Sequence, residues 1–202
     1  MRTDVPADGP EQLDTHWLSM PEPRVSPGTA RELGLRATVV VSLIRLATRG
    51  RAVNVFATMG RNRRLVGPWL RFAAHLMPFG RLSRADTELV ILRVAYNCRA
   101  HYEWVQHHRL ARRAGLDNEA IERIKLGPEA TGWTRRQSTL LLATDELHRD
   151  RMISDACWEE LERQLDVPRL IEFCVLVGHY EMLAMTLNSL GVQVEDAAMP
   201  RA

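Results

Sequence analysis

The chain is short of cysteine, of aromatic residues and of any excess charge, and each shortage narrows what it can be. Only three cysteines stand among 202 residues, Cys98, Cys157 and Cys174, and no two form a C-x-x-C pair. An odd set without paired spacing argues against a disulfide framework and favours a reducing compartment, so the cytoplasm is the expected location. Aromatics make up 6% of the chain, and 27 basic residues face 25 acidic ones for a formal net charge of +2. That balance carries neither a nucleic-acid footprint nor a field for a membrane surface, which leaves small molecules and protein partners. Long apolar runs are missing too: the longest, Val39 to Leu46, is interrupted by Ser42 and Arg45. It falls far short of the roughly 20 residues that span a bilayer, and the N-terminal MRTDVPADGPEQLDTHW holds no apolar export segment. Neither membrane insertion nor export is expected.

What the chain has is 46% hydrophobic residues, enough to bury a core in one domain. Residues 1–28 carry Pro6, Pro10, Pro21, Pro23 and Pro27 and read as an arm, extended or wrapped over a neighbour, ahead of a single domain over 29–202. From Arg31 onward the apolar spacing is helical and no sustained alternation supports a sheet, so the fold class is all-α, with seven or eight helices.

Arg36 to Thr48 forms a first candidate helix closed by Gly50, although Val39, Val40 and Val41 would equally start a strand. Pro68 reads as the first position of a helix that Pro78 and Gly80 stop. Ser83 opens the next, apolar nearly all round through Leu89 to Ala95, as suits the middle of a bundle. Asp117 starts a short helix ended by Gly127, Thr134 with Gln137 makes a capping box, Ser154 or Asp155 caps another, and the last runs from about Pro168 to Leu190 before Gly191.

Chemistry concentrates in NCRAHYEWVQHH, residues 97–108. Wound as one helix from Cys98 at about 100° per residue, it splits into two faces. Cys98 and Tyr102 lie on one; Glu103 and His107 lie on the other, flanked by Trp104. Glu103 and His107 are spaced i, i+4 for a hydrogen bond, and two readings fit: a buried pair that satisfies itself, or a carboxylate and imidazole that exchange a proton with a substrate. Asn97 as a helix cap would set Cys98 at a helix N-terminus, where a thiol becomes reactive; the alternative is a small buried hydrophobe. A metal held by Cys98, His101 and His108 needs three ligands within about 2 Å of one ion, which one helix supplies poorly, so no metal is expected. His16, His75, His148 and His179 show no ligand spacing among themselves and read as packing or surface residues. HYE occurs at 101–103 and again at 179–181, as chance matches do, and no repeat is inferred.

The runs ELVILRVAYNCRAHYEWVQHHRLARRAGL and VGHYEMLAMTLNSLGVQVE resemble the carboxymuconolactone decarboxylase family, which shares the helical fold of the alkyl hydroperoxidase D (AhpD) group. The similarity runs roughly over 53–195 and implies an AhpD-like helical bundle that assembles into trimers or hexamers, with sites near subunit contacts. In the peroxidase branch C-x-x-C is followed four residues later by histidine, with a glutamate upstream. On that pattern Cys98 matches the first cysteine, His101 replaces the second, Val105 replaces the histidine, and Glu88 or Asp86 supplies the acid. The resolving thiol is missing. The decarboxylase branch has an acidic residue ahead of H-x-R-x-x-R-x-x-G, which maps onto Glu103, His107, Arg109, Arg112 and Gly115. The resemblance then implies a cofactor-free lyase acting on a small carboxylated or enolisable ring compound. His107 would be its acid/base and Glu103 the orienter, with His101, Tyr102 and Trp104 lining the pocket. A thiol peroxidase using Cys98 is the second reading, and a non-catalytic oligomeric binding protein the third.

Overall fold

A computed structural model describes residues 16–18, 20–50 and 52–195. Among them are nine helices and no strand: α1 (Ala30–Thr48), α2 (Asn54–Met59), α3 (Arg63–Leu76), α4 (Arg84–Asn97), α5 (His101–Arg113), α6 (Asn118–Leu126), α7 (Arg135–Asp150), α8 (Asp155–Glu162) and α9 (Val167–Leu190). The bundle is all-α as its spacing predicts, with one helix more than the upper count because 54–59, too short to show a period, closes a turn of its own.

Helix α4 is the axis. Val90, Ile91, Leu92, Val94 and Ala95 are fully buried, because α5, α6, α7 and α9 all pack around it. Ser83 caps it through a bond from the Asp86 N–H, and the Thr134/Gln137 capping box and the Ser154 and Asp166 caps start α7, α8 and α9 as single residues dictate. By length and hydropathy α9 would suffice to cross a membrane, yet Leu170, Phe173, Leu176, Val177 and Leu183 are buried against the bundle, which accounts for its apolar length.

Three local expectations change. The valine triplet is helical, and α1 begins earlier than expected, with a break at Gly34, whose φ of 72° lies in the left-handed region. Pro68 lies inside α3, not at its start: Asn62 caps the helix six residues earlier, and burial of Val66, Trp69 and Leu76 offsets the backbone bond that proline cannot make. The described part of the arm, residues 16–18 and 20–28, lies on its own chain. The Leu18 N–H donates to the Arg99 carbonyl at 3.0 Å, those of Arg24 and Val25 to the Leu190 carbonyl, and that of Gly28 to the Ala57 carbonyl. Pro6 and Pro10 lie outside the described residues.

The change that matters most falls inside residues 97–108. Asn97 ends α4, Cys98 is that helix's C-cap, Arg99 turns the chain at φ 56°, and α5 starts only at His101. No single helix runs from Cys98, so the two faces drawn on that assumption do not share one axis.

Candidate active site

The sharp reversal at Arg99 lays α5 back along α4 and brings Glu88 to His107. Glu88 Oε2 accepts from His107 Nδ1 at 2.7 Å, and its Oε1 accepts from Arg84 Nη2 at 2.5 Å. Glu88 is fully buried and His107 is 7% exposed. His107 is therefore oriented by Glu88 from the neighbouring helix, and not by Glu103 one turn away on its own.

Glu103 has a different position. It is 2% exposed, and neither carboxylate oxygen has a hydrogen-bond partner among the described residues. Burial, and then the charge of Glu181, push its carboxyl well above the usual range, so the neutral acid is its favoured form. Both Glu103 and His107 line a cavity of about 760 Å³ closed by Val55, Phe56, Trp69, His179 and Tyr180. Tyr180 stands edge-on to the His107 ring, centroids 5.1 Å apart. The indole N–H of Trp69 and Nδ1 of His179 also lack partners among the described residues. Burial lowers the His179 imidazole to about 4, so it is a neutral group at neutral pH. Four unpartnered buried polar atoms thus belong to three residues of one wall, where a native interior ordinarily leaves few. The same wall carries guanidinium groups, on exposed Arg49 and Arg113 and half-buried Arg109.

The other expected site residues are divided by the reversal. Tyr102 lines the cavity, its hydroxyl accepting from the Val55 N–H at 3.3 Å and donating to Glu195 at 3.1 Å. His101 and Trp104 do not: both rings pack against Trp17 of the arm, at 5.7 and 5.3 Å, and are held there rather than turned into the cavity. Cys98 is outside the wall as well. At a helix C-terminus its sulfur meets the negative end of the dipole, the reverse of the N-terminal setting that would activate it. Burial, then the Glu181 carboxylate to which it donates at 3.3 Å, raise its proton affinity far above that of a free thiol.

Sequence reasoning passed over His179, Tyr180 and Trp69. The first two belong to the second HYE, whose recurrence was discounted, and nothing in the local spacing of Trp69 marks it as part of a site.

Residues 65–146 match the model of the carboxymuconolactone decarboxylase family, about two-fifths of the chain and the part that holds Glu88, Glu103 and His107. No curated protein matches the chain. Among solved structures, the fold is shared with an uncharacterised peroxidase-related protein from Silicibacter sp. TM1040, which is 15% identical with a TM-score of 0.73 and covers 94% of this chain and 97% of its own. An AhpD-core protein from Ralstonia eutropha JMP134 is 13% identical with a TM-score of 0.73, covering 86% and 94%. The debrominase Bmp8, solved as a cysteine-to-alanine variant in complex with 2,3,4-tribromopyrrole, is 15% identical with a TM-score of 0.72, covering 89% and 95%. The chain has the AhpD-like fold, and its central helices carry the resemblance to the decarboxylase family.

Proposed function

We propose that this AhpD-like chain is a cofactor-independent enzyme of the decarboxylase-like kind, using acid/base chemistry on a small carboxylated or enolisable ring compound in a reducing compartment such as the cytoplasm. The observation that carries the reading is the pair of partnerless Glu103 oxygens in a cavity wall that also holds the Glu88-oriented His107. A cavity of this size suits a small ring, as does the tribromopyrrole in the debrominase complex. Arg49, Arg109 and Arg113 give a substrate carboxylate its counter-charge. As the bond to that carboxylate breaks, carbon dioxide leaves and its electron pair passes into the ring as an enolate. The neutral Glu103 acid donates its proton to the enolate carbon, and His107, held by Glu88, returns a proton to the site from solvent.

The motif supports this reading when set two residues later. C-x-x-C-x-x-x-H then falls on Ala100, Glu103 and His107, with Glu88 as the upstream acid, and the Glu88 to His107 bond supports this register over the one starting at Cys98. Both thiols are replaced in it, one by a carboxyl. A panel of carboxylated lactones, followed by carbon dioxide release, tests the reading. Turnover by the wild type should fall by about 10²-fold or more in His107→Ala, the usual scale for a lost acid/base group. Peroxide consumption with an added thiol donor, lost in Cys98→Ser, would instead establish the thiol peroxidase.

The assembly is proposed to be a trimer or hexamer of identical chains. Leu35, Val39, Leu43 and Leu46 are exposed along one side of α1, and Val167, Ile171, Val175, Met182 and Met185 along one side of α9, stripes of a kind that monomers seldom leave open. Light scattering should return three or six times 23.0 kDa, and Ile171→Glu with Met185→Glu should lower that mass. A wild-type mass of one chain would remove the proposal.

A further inference from the structure

Behind the cavity wall, three ligand-type side chains from three helices converge. Cys98 ends α4, His148 stands in the last turn of α7, and Glu181 follows His179 and Tyr180 in α9. Cys98 Sγ lies 3.3 Å from Glu181 Oε1 and 3.9 Å from His148 Nδ1, and His148 Nδ1 lies 2.5 Å from Glu181 Oε1. We propose that Cys98, His148 and Glu181 form a binding site for a borderline divalent transition metal of the zinc type, with its fourth position open to solvent.

The argument is geometric first. Zinc bonds sulfur at about 2.3 Å and nitrogen or oxygen at about 2.0–2.2 Å, so tetrahedral ligand atoms stand about 3.3–3.6 Å apart. The sulfur-to-oxygen distance already fits, and the sulfur-to-nitrogen one is slightly long. Only His148 and Glu181 must part, by under about 1 Å, and His148, a third exposed on the protein surface, has room to turn. That exposure also gives the ion a way in.

The surroundings hold the ligands in place. Arg151 binds the other Glu181 oxygen, Oε2, at 3.1 Å and leaves Oε1 for the metal. Asn188 Nδ2 donates to the Cys98 carbonyl at 3.0 Å and fixes the backbone that presents the sulfur. Supporting bonds of this kind orient ligands and sustain affinity. The donor set of one thiolate, one imidazole and one carboxylate selects zinc or cobalt over magnesium or calcium, which take oxygen ligands. On binding, the Cys98 proton now shared with Glu181 is released, and a sulfur–metal bond replaces the S–H bond. Separate helices also explain why local spacing predicted no metal: Cys98 is 50 residues from His148 and 83 from Glu181.

Co2+ is the probe. The full chain, stripped with a chelator and kept reduced, should take one equivalent, with a sulfur-to-cobalt charge-transfer band in the near ultraviolet and visible bands of four-coordination. Zn2+ should bleach them and raise the melting temperature, whereas Mg2+ should leave it unchanged. Cys98→Ser should lose the charge-transfer band, and His148→Ala should weaken Co2+ binding by more than about 100-fold, beyond the usual effect of a supporting residue. His148→Ala opens no core cavity, so it decides the matter where Cys98→Ser fails to fold. Absence of the charge-transfer band in the wild type, its survival in Cys98→Ser, or equal stabilisation by Mg2+ would each overturn the site. None of these readouts depends on turnover, so the metal site and the proposed acid/base chemistry stand or fall separately.

Discussion

Glu103→Gln is expected to cost about 10²–10⁴-fold in turnover while making the folded chain more stable at neutral pH. The two effects come from one fact. A fully buried carboxyl without a partner is unfavourable as an anion, and burial and the charge of Glu181 raise its proton affinity in the folded state. The unfolded chain has the ordinary value, near 4.5. Above that pH, and up to the raised folded value, the folded state binds more protons than the unfolded one. Stability contributed by protonated Glu103 is therefore complete below about 4.5 and is lost as pH rises through this window. Gln keeps the shape and cannot ionise, so the variant should match the wild-type melting temperature near pH 4 and exceed it increasingly toward pH 8. Thermal melts across that range, paired with kinetics at neutral pH, check both halves. A variant less stable than the wild type at pH 8 would mean that Glu103 is held by partners in the packed protein. Unchanged turnover would remove it from the chemistry.

How much of this was legible in the sequence depends on whether the information was local. Ser83, Thr134 with Gln137, Ser154 and Gly191 mark helix ends by groups within a few residues of one another, and the apolar circumference of residues 89–95 announces the central helix without reference to anything else. The turn at 98–100 was hidden because Asn97 suits either end of a helix. Read as a cap, it makes Cys98 a helix start; in the structure it donates through Nδ2 to Asp145 and closes α4. Glu103 and His107 were legible as residues but not as a pair of roles, since i, i+4 spacing predicts a bond that the distant Glu88 takes instead. Trp69, His179 and Tyr180 enter the site only through packing of α3 and α9 against α5, which no local pattern encodes.

Glu88 is where fold and chemistry are least separable. It lies in the most deeply buried helix, with one oxygen on Arg84 and the other on His107, so its removal leaves the imidazole of a 7%-exposed residue without its partner. Breaking a buried pair on one side typically costs about 3–5 kcal/mol, and in a chain of this size about 2–4 °C of melting temperature accompanies each kcal/mol. Arg84 adds little, because its side chain is 41% exposed and water replaces the lost bond. Glu88→Ala should thus melt roughly 6–20 °C below the wild type. Glu88→Gln retains the volume and separates positioning from stability. Glu88 is not in the cavity wall, so the substitution should lower kcat with KM nearly unchanged, by loosening the hold on His107 rather than by touching substrate. The double variant with His107→Ala decides this: if Glu88 acts through His107, the combined loss should equal that of His107→Ala alone. Losses that multiply would show Glu88 contributing by another route, and the pair would then be a structural bond beside the cavity rather than part of its chemistry.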